Sequence, residues 1–357
     1  MLKSFSFPSV YEATNMELTG VANNLIDGIK IHGGESDYMV GNLALQEGYS
    51  PHKAINSSPQ DFEYDLLVQA GLLLLKPSAE DEINLTVGFP YSTYMLYRDA
   101  AVEKLTGKHT IGFDASVCGG DGYMKREANV VKVHVIPEIQ GCVTAIREGE
   151  THEKGNFFMV SLGFGTFEAV MSTGSGLVNR TLVSSHGVRQ AVNLFANALS
   201  KEFYLSLKTE HQMDGVFQQG SVTVNRIRHD VSEARRAALR MYYNDVVSPN
   251  LRRAFSDQDF AKCNKMYIAG GGAYYQDLLD CFNEEFGSIL TIEVYAEPEK
   301  CASQGYCLYS AAKSEAKADV DFGKMDADSF MKSGRKISAG LDVGNANTCI
   351  TVYADGE

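Results

Sequence analysis

Residues 337–353 constrain this chain most, because they read as two apolar strands joined by a short polar turn. Asp342 lies near the end of the first strand. The positions that follow it supply Gly344, Asn345, Asn347 and Thr348. Such a turn offers backbone N–H groups and a hydroxyl to an anion, and it places a carboxylate for a cation. The segment therefore predicts an anion-binding β-hairpin.

The two ends of the chain predict an unusual connection. The sequence ends with Asp355, Gly356 and Glu357, and the Asp-Gly pair is typical of a turn but has no strand behind it. Residues 1–10 begin as a strand with no turn before it. Joining the two ends would give the last turn a following strand and the first strand a preceding turn. The sequence therefore predicts a circular permutation.

A second hairpin of the same kind is predicted over residues 157–170. The residues around its turn are Ser161, Gly163, Phe164, Gly165 and Thr166. We match Gly163 to Gly344 and Thr166 to Thr348, and we expect Glu168 to be structural. Two such turns, one from each of two lobes, could hold a triphosphate.

Bulk composition limits the classes of function. A chain of 357 residues exceeds one ordinary core and predicts two lobes. A net charge of −13 argues against direct binding to nucleic acid, so any link to DNA would need a basic partner. Seven cysteines without a secretion signal predict reduced thiols and a cytoplasmic location. The longest apolar run, residues 66–75, is too short to span a membrane and predicts a core helix.

Helices and strands are predicted to alternate along the chain. The spacing of apolar residues predicts helices over 61–75, 94–105, 140–148, 188–203, 232–247 and 273–286. Strands are predicted over 83–89, 130–137, 157–161 and 265–269. This alternation predicts an α/β fold.

Two further segments are candidates for chemistry. Glu138 follows Pro137 after a β-branched strand, where it is either a helix-start residue or a group that orients water. Gly270, Gly271, Gly272 and Ala273 follow another predicted strand. Glycines at such a junction let a ligand approach the backbone. The rival interpretation, a dinucleotide-binding fingerprint, lacks the third glycine at the required spacing.

Together these segments resemble the actin-like ATPases, and within them the ParM type that segregates plasmids. In that superfamily an Asp-x-Gly-x-x-x-Thr hairpin opens the chain, whereas here it closes the chain. The resemblance implies an actin-like two-lobe fold of duplicated ribonuclease-H-like domains, circularly permuted, with a nucleotide cleft between the lobes. Residues 1–150 and 337–357 would form lobe I, with a small subdomain at about 23–90. Residues 151–312 would form lobe II, and 313–336 would be a linker.

The resemblance also implies a site. ATP or GTP would bind with Mg²⁺, and both hairpin turns would bind its phosphates. Asp342 would hold the metal and take part in catalysis, and Glu138 would position the attacking water. Gly270, Gly271, Gly272 and Ala273 would line the adenosine pocket. Ser161 stands where the family has an aspartate, so it could reach the metal only through water and would supply no charge.

The implied function is a filament-forming ATPase. Its partners would be further copies of itself, joined head to tail, and a DNA-binding adaptor protein for plasmid segregation. Direct binding to nucleic acid or membrane is not expected. Two alternatives remain open at this point: a small-molecule kinase of the same superfamily, and a nucleotide-binding scaffold that hydrolyses weakly or not at all. Ser161 favours the scaffold.

Overall fold

The computed structural model describes residues 2–54, 58–203, 210–314 and 334–353. The chain divides into two compact units. Residues 1–153 and 300–357 form unit 1, and residues 154–299 form unit 2. Most of the predicted linker, 313–336, and the predicted turn at Asp355 and Gly356 lie outside the described residues.

The described residues contain both strands and helices throughout. The strands are β1 (Leu2–Pro8), β2 (Val10–Thr14), β3 (Lys30–His32), β4 (Asp37–Val40), β5 (His52–Lys53), β6 (Glu82–Phe89), β7 (Gly107–Asp114), β8 (Tyr123–Pro137), β9 (Phe157–Leu162), β10 (Thr166–Thr173), β11 (Gly176–Leu177), β12 (Val183–His186), β13 (Ser221–Val224), β14 (Ile227–Asp230), β15 (Lys265–Ala269), β16 (Thr291–Val294), β17 (Lys336–Val343) and β18 (Asn347–Tyr353). The α-helices are α1 (Asn42–Glu47), α2 (Phe62–Leu74), α3 (Tyr94–Leu105), α4 (Glu138–Glu148), α5 (Arg189–Phe203), α6 (Glu210–Gln219), α7 (Ser232–Tyr242), α8 (Ser248–Ala254), α9 (Asp257–Phe260), α10 (Gln276–Phe286) and α11 (Cys301–Ser314).

Unit 1 is built on one mixed sheet with the strand order β1-β18-β17-β6-β8-β7-β3-β4-β2-β5. The three strands at its centre, β17, β6 and β8, are parallel. The outer strands β18 and β1 are antiparallel to their neighbours, and Leu2 pairs with Tyr353. The first and last described residues of the chain are therefore cross-strand neighbours.

Close helix packing holds unit 1 together. The apolar run within α2 is buried, which confirms the predicted core helix. Helix α11 packs on α4 and β17, and a side chain at Gly305 would bring a Cβ atom within 1.8 Å of the Gly141 carbonyl oxygen. The glycines are therefore needed for the two helix backbones to meet. Residues 151–153 and 300–312, which the sequence-based division placed in lobe II, belong to unit 1.

Unit 2 repeats the central sheet pattern. Its strand order is β11-β10-β9-β15-β16, with β12 also paired to β10, and β9, β15 and β16 are parallel. The order β12-β10-β9-β15-β16 corresponds strand by strand, with the same directions, to β1-β18-β17-β6-β8 of unit 1. A separate hairpin, β13–β14, completes the unit.

Several element boundaries differ from those predicted. Strand β8 begins at Tyr123, seven residues before the predicted strand, because its first half pairs with β7 but not with β6, is partly exposed, and lacks a continuous apolar run. The predicted helix over 232–247 is α7 followed by a π-helical turn over Tyr243–Val247. Among the described residues, no helix combines the length and apolarity needed to cross a membrane.

Candidate functional site

Three parallel strands of unit 1 end at one edge of the sheet. Leu341 pairs with Val87, and Phe89 pairs with Pro137, so β17, β6 and β8 reach this edge together. Asp342 follows Leu341 near the end of β17, and Glu138 directly follows β8. Because ligands of open α/β sheets bind outside the carboxyl ends of the strands, this edge is the candidate site of unit 1.

The carboxyl groups of Asp342 and Glu138 influence each other at this edge. Both side chains are half-buried. The pKa of Asp342 is raised well above its usual range. Removal from water is the larger cause, and the negative charge of Glu138 is the smaller one. Two carboxylates that repel each other in this way are stabilised by a cation, and oxygen ligands suit Mg²⁺.

The donor set also fits a metal that keeps part of its hydration shell. Among the described residues, no group of three or more His, Cys, Asp or Glu side chains is arranged to hold a metal ion. Mg²⁺ commonly uses one or two carboxylates and completes its shell with water and substrate phosphates. Asp342, with Glu138 nearby, therefore fits a hydrated Mg²⁺ and does not fit a fully protein-bound metal.

The hydroxyl of Tyr64 is a further polar group close to Asp342. Tyr64 is 1% exposed, and its hydroxyl has no hydrogen-bond partner among the described residues. The pKa of Tyr64 is raised mainly by burial and to a smaller extent by the charge of Asp342. The ring stacks on Phe89 with ring centroids 5.8 Å apart. Sequence analysis missed this residue, because a tyrosine within an apolar helix gives no signal of a polar neighbour.

The β17–β18 turn is short and tightly closed. The backbone N–H of Gly344 donates to the Asn347 carbonyl oxygen at 3.1 Å. A side chain at Gly344 would place its Cβ atom 2.8 Å from that same oxygen, so the turn requires glycine. Asn345 and Asn347 are half-exposed, which leaves them accessible to a ligand.

Thr348 supports the turn from within. It is fully buried, and its hydroxyl lies 2.9 Å from the Ser9 hydroxyl, which donates to the Gly344 carbonyl oxygen at 2.6 Å. The structure thus assigns the Thr348 hydroxyl to the hairpin interior and not to an exposed anion site. Ser9, which the sequence did not single out, is the residue that locks the turn.

The β9–β10 turn of unit 2 has the same geometry. Leu162 pairs with Phe167, and a Cβ atom at Gly163 would lie 2.8 Å from the Thr166 carbonyl oxygen. This register matches Gly163 to Gly344 and Ser161 to Asp342, as the sequence predicted. It matches Thr166 to Asn347, however, and not to Thr348. The sequence match was wrong by one residue, because it aligned two threonines and not the ends of the turns.

The carbonyl groups of this turn are bound by the start of α5. The backbone N–H groups of Gly187, Val188 and Arg189 donate to the carbonyl oxygens of Gly165, Gly163 and Phe164 at 2.9–3.0 Å. A Cβ atom at Gly187 would lie 2.4 Å from the Gly163 oxygen. Gly187 is therefore a supporting residue that sequence analysis missed, and its only signal was an isolated glycine before a helix.

Ser161 and Glu168 lie inside unit 2. They face each other across the β9–β10 pair, and they are 2% and 0% exposed. The burial of Glu168 fits the structural role predicted for it. Ser161 precedes the last residue of β9 and pairs with Ala269, the last residue of β15, so it lies near the carboxyl edge of these two parallel strands.

The Gly270–Ala273 segment lies against the second turn. A Cβ atom at Gly270, whose φ is +84°, would be 2.6 Å from the Leu162 backbone, and one at Gly272 would be 2.7 Å from the Leu162 side chain. Gly271 has no such neighbour within 4 Å and is open to a ligand. The helix predicted from Ala273 begins later: a 3₁₀ turn covers Gly271–Tyr274, and α10 starts at Gln276.

Comparison with known proteins gives a fold and no sequence relative. No protein-family model matches the chain, and no curated protein matches its sequence. Solved structures do match. One is a 15-stranded ParM filament from Clostridium botulinum, with a TM-score of 0.72 and 17% identity, covering 86% of this chain and 92% of that one.

Other actin relatives match over the same extent. An archaeal actin homologue has a TM-score of 0.67 and 17% identity, covering 86% of this chain and 92% of that one. The actin-like protein Alp7A has a TM-score of 0.62 and 13% identity, covering 87% and 91%. The chain has the α/β actin-like fold. This confirms the predicted fold class.

Proposed function

We propose that this actin-like chain is a nucleoside triphosphatase that assembles into filaments. The observation that carries the proposal is the convergence of Asp342, Glu138 and the Gly344 turn at one carboxyl edge of the unit 1 sheet. A phosphate–metal complex needs a turn that binds the anion and, beside it, a carboxylate that binds the cation. A carboxyl group with a raised pKa at such a turn is typical of a functional site.

In this proposal the turns bind phosphates. Asn345 and Asn347 present backbone and side-chain donors at the Gly344 turn of unit 1, and residues 163–166 form the corresponding turn of unit 2. Gly271 gives the nucleoside access to the backbone between Gly270 and Ala273. A solved complex of the archaeal actin homologue with ADP, with a TM-score of 0.63 and 17% identity, supports a nucleotide as the ligand.

Asp342 and Glu138 have separate roles in the proposed reaction. Asp342 would hold a hydrated Mg²⁺, which would supply positive charge to neutralise the phosphates. Glu138 orients the attacking water, because transfer of a phosphoryl group to water needs a positioned nucleophile more than a covalent partner. Ser161 occupies the position of unit 2 that corresponds to Asp342, and it adds no charge there.

Assembly is proposed from the fold. The ParM structure that this chain resembles was solved as a filament. We infer that copies of this chain associate head to tail, with nucleotide binding favouring assembly, and that a DNA-binding adaptor links the filament to a plasmid. The net charge of −13 makes such an adaptor necessary for any link to DNA.

We also propose that the chain is circularly permuted. In unit 2 the five matching strands occur in the chain order β9, β10, β12, β15, β16. In unit 1 the corresponding chain order would be β17, β18, β1, β6, β8, which needs the first two strands to precede β1. The antiparallel pairing of β18 with β1, with Tyr353 beside Leu2, supports a direct hairpin connection between these strands in the unpermuted order.

A second candidate function rests on Ser161. Because this buried hydroxyl replaces a charge at the position that corresponds to Asp342, the chain could be a scaffold in which nucleotide binding sets conformation without hydrolysis. Phosphate release separates the two candidates, since a scaffold would assemble with nucleotide and release no phosphate.

The test is the Glu138→Gln variant. The amide keeps the size of the side chain and removes its charge, so we expect phosphate release to fall by about 100-fold, as for loss of a general base. Nucleotide affinity should change by less than about threefold, or under about 1 kcal/mol. The measurements are released phosphate per chain and calorimetric binding of ATP with Mg²⁺.

The matched control is Glu148→Gln, at the other end of the same helix, where the side chain is exposed. We expect it to release phosphate at the parent rate. Equal rates in Glu138→Gln and the parent chain would remove Glu138 from the mechanism. Nucleotide-dependent assembly without phosphate release in the parent chain would favour the scaffold.

A further inference from the structure

Two surfaces of this molecule expose apolar side chains next to charge, one on each unit. The first, which we call the hairpin tip, consists of Asn225–Arg228 at the end of β13–β14. The second, which we call the α3 face, consists of Leu96, Asp99 and Glu103, with Met95 beside them. The two surfaces have opposite charge character, and neither contributes to the candidate site described above.

The hairpin tip is basic and projects an apolar side chain. Ile227 is 62% exposed, and Arg226 and Arg228 on either side of it are also exposed. Among the described residues neither arginine forms a salt bridge, but the charge of Arg228 contributes to lowering the pKa of Asp230, two residues along the same strand. By contrast, Arg236 and Arg240 of the adjacent helix pair with Asp277 and Glu284.

The turn itself keeps an arginine where glycine is favoured. Val224 pairs with Ile227, so Asn225 and Arg226 form a two-residue turn with φ values of 50° and 67°. Such turns favour glycine at the second position, because a positive φ is unfavourable for other residues. The arginine therefore opposes the local preference of the backbone.

The α3 face combines apolar and acidic side chains. Leu96 is 73% exposed and Met95 is 61% exposed. Leu96, Asp99 and Glu103 lie at positions i, i+3 and i+7, so they share one side of the helix. Asp99 pairs only with the exposed neighbour Arg98, and Glu103 has no ion-pair partner among the described residues. An exposed pair of this kind contributes little and exchanges readily for a new partner.

We propose that the hairpin tip of one copy binds the α3 face of a second copy. A head-to-tail contact is heterologous, so it needs two different and complementary surfaces on each molecule. The tip and the face supply one each: Ile227 can cover Leu96, while Arg226 and Arg228 meet Asp99 and Glu103. Copies that each carry a charge of −13 repel one another, which makes a local basic patch necessary for close approach.

This inference rests on the proposed filament function and names one of its contacts. The test uses two charge-reversed full-length variants, Arg226→Glu with Arg228→Glu, and Asp99→Arg with Glu103→Arg. Each should raise the protein concentration needed for sedimentable assembly with ATP and Mg²⁺ by at least about tenfold, because like charges then face each other. A chain carrying all four substitutions restores the attraction and should assemble within about threefold of the parent concentration.

The control is Lys154→Glu with Lys262→Glu, which makes the same change in net charge as Arg226→Glu with Arg228→Glu, at exposed positions of unit 2 outside the hairpin tip. It should assemble within about threefold of the parent concentration. Nucleotide binding, measured in every variant, should match the parent chain and so show that each variant folds.

The outcomes separate the contact from the function. If both reversed variants assemble as the parent does, or if the four-substitution chain fails to recover while it still binds nucleotide, the contact is wrong and the filament function stands. If the parent chain does not assemble under any nucleotide condition, both the contact and the filament function are overturned.

Discussion

At the scale of single residues, two aspartates of unit 1 differ in their counter-charges. Burial alone would raise the pKa of Asp81, but hydrogen bonds and charge from Arg335, with their atoms 2.6 Å apart at the closest, hold it below its usual value. Asp342 faces Glu138 instead, and its pKa is raised. The first arrangement stabilises the fold, whereas the second opposes folding and is typical of a functional site.

This difference predicts the behaviour of Asp342→Asn. The pKa of Asp342 is higher in the folded state than in the unfolded state, so the folded state binds more protons between these two pKa values. The stability of the parent chain therefore falls as pH rises through the interval between the unfolded and the folded pKa. Above it, the asparagine variant should be more stable by on the order of 1 kcal/mol without metal. Its Mg²⁺-dependent nucleotide affinity should fall at least about tenfold, because the metal ligand is lost.

Thermal unfolding at pH 4 and pH 8, together with calorimetry of ATP with Mg²⁺, measures both effects. The gain in stability should appear at pH 8 and shrink at pH 4. Asp99→Asn is the control, because this exposed side chain should change neither quantity. A variant that is less stable than the parent at pH 8, or that keeps full Mg²⁺ dependence, would contradict the assignment of Asp342.

At the scale of elements, sequence patterns predicted what local physics determines. Helix α3 begins and ends at the predicted residues. Pro90 marks the end of the preceding strand, and no glycine or proline interrupts residues 94–105. The two hairpins and their glycines were also predicted, since a tight turn leaves a clear signal. The support provided by Ser9 and Gly187 could not be predicted, because it depends on contacts between segments distant in sequence.

The element order makes a prediction about connectivity. A chain in which a short glycine–serine loop joins Tyr353 to Leu2, with new ends opened before Met325 in the predicted linker 313–336, should fold with the same circular dichroism spectrum and bind ATP as the parent does. The reason is that β18 and β1 already pair as an antiparallel hairpin. Its melting temperature, read by circular dichroism, should lie within about 5 °C of the parent value, equivalent to about 1–2 kcal/mol.

A control chain carries the same loop but is opened between Asn345 and Ala346, inside the proposed phosphate-binding turn. It should keep its fold and lose nucleotide affinity. The permutation proposal would be abandoned if the chain opened before Met325 failed to fold while the control chain folded.

At the scale of the whole molecule, the fold was predictable and the chemistry only partly so. Alternating strands and helices, two lobes and two matching turns lead to the actin-like fold, which the structure confirms. The burial of the Thr348 hydroxyl against Ser9 could not be predicted, because it is a tertiary feature. Assembly depends on surfaces, and a sequence does not show which charged side chains remain unpaired in the folded chain.

The central claim is that a nucleotide phosphate and its metal bind at the carboxyl edge of unit 1. The most direct measurement is a structure of the chain with a non-hydrolysable ATP analogue and Mg²⁺. We expect phosphate oxygens against the backbone N–H groups of residues 345–347 and the metal on the Asp342 side of the turn. A nucleotide bound elsewhere, with the Gly344 turn and Asp342 both in contact with solvent alone, would contradict the account.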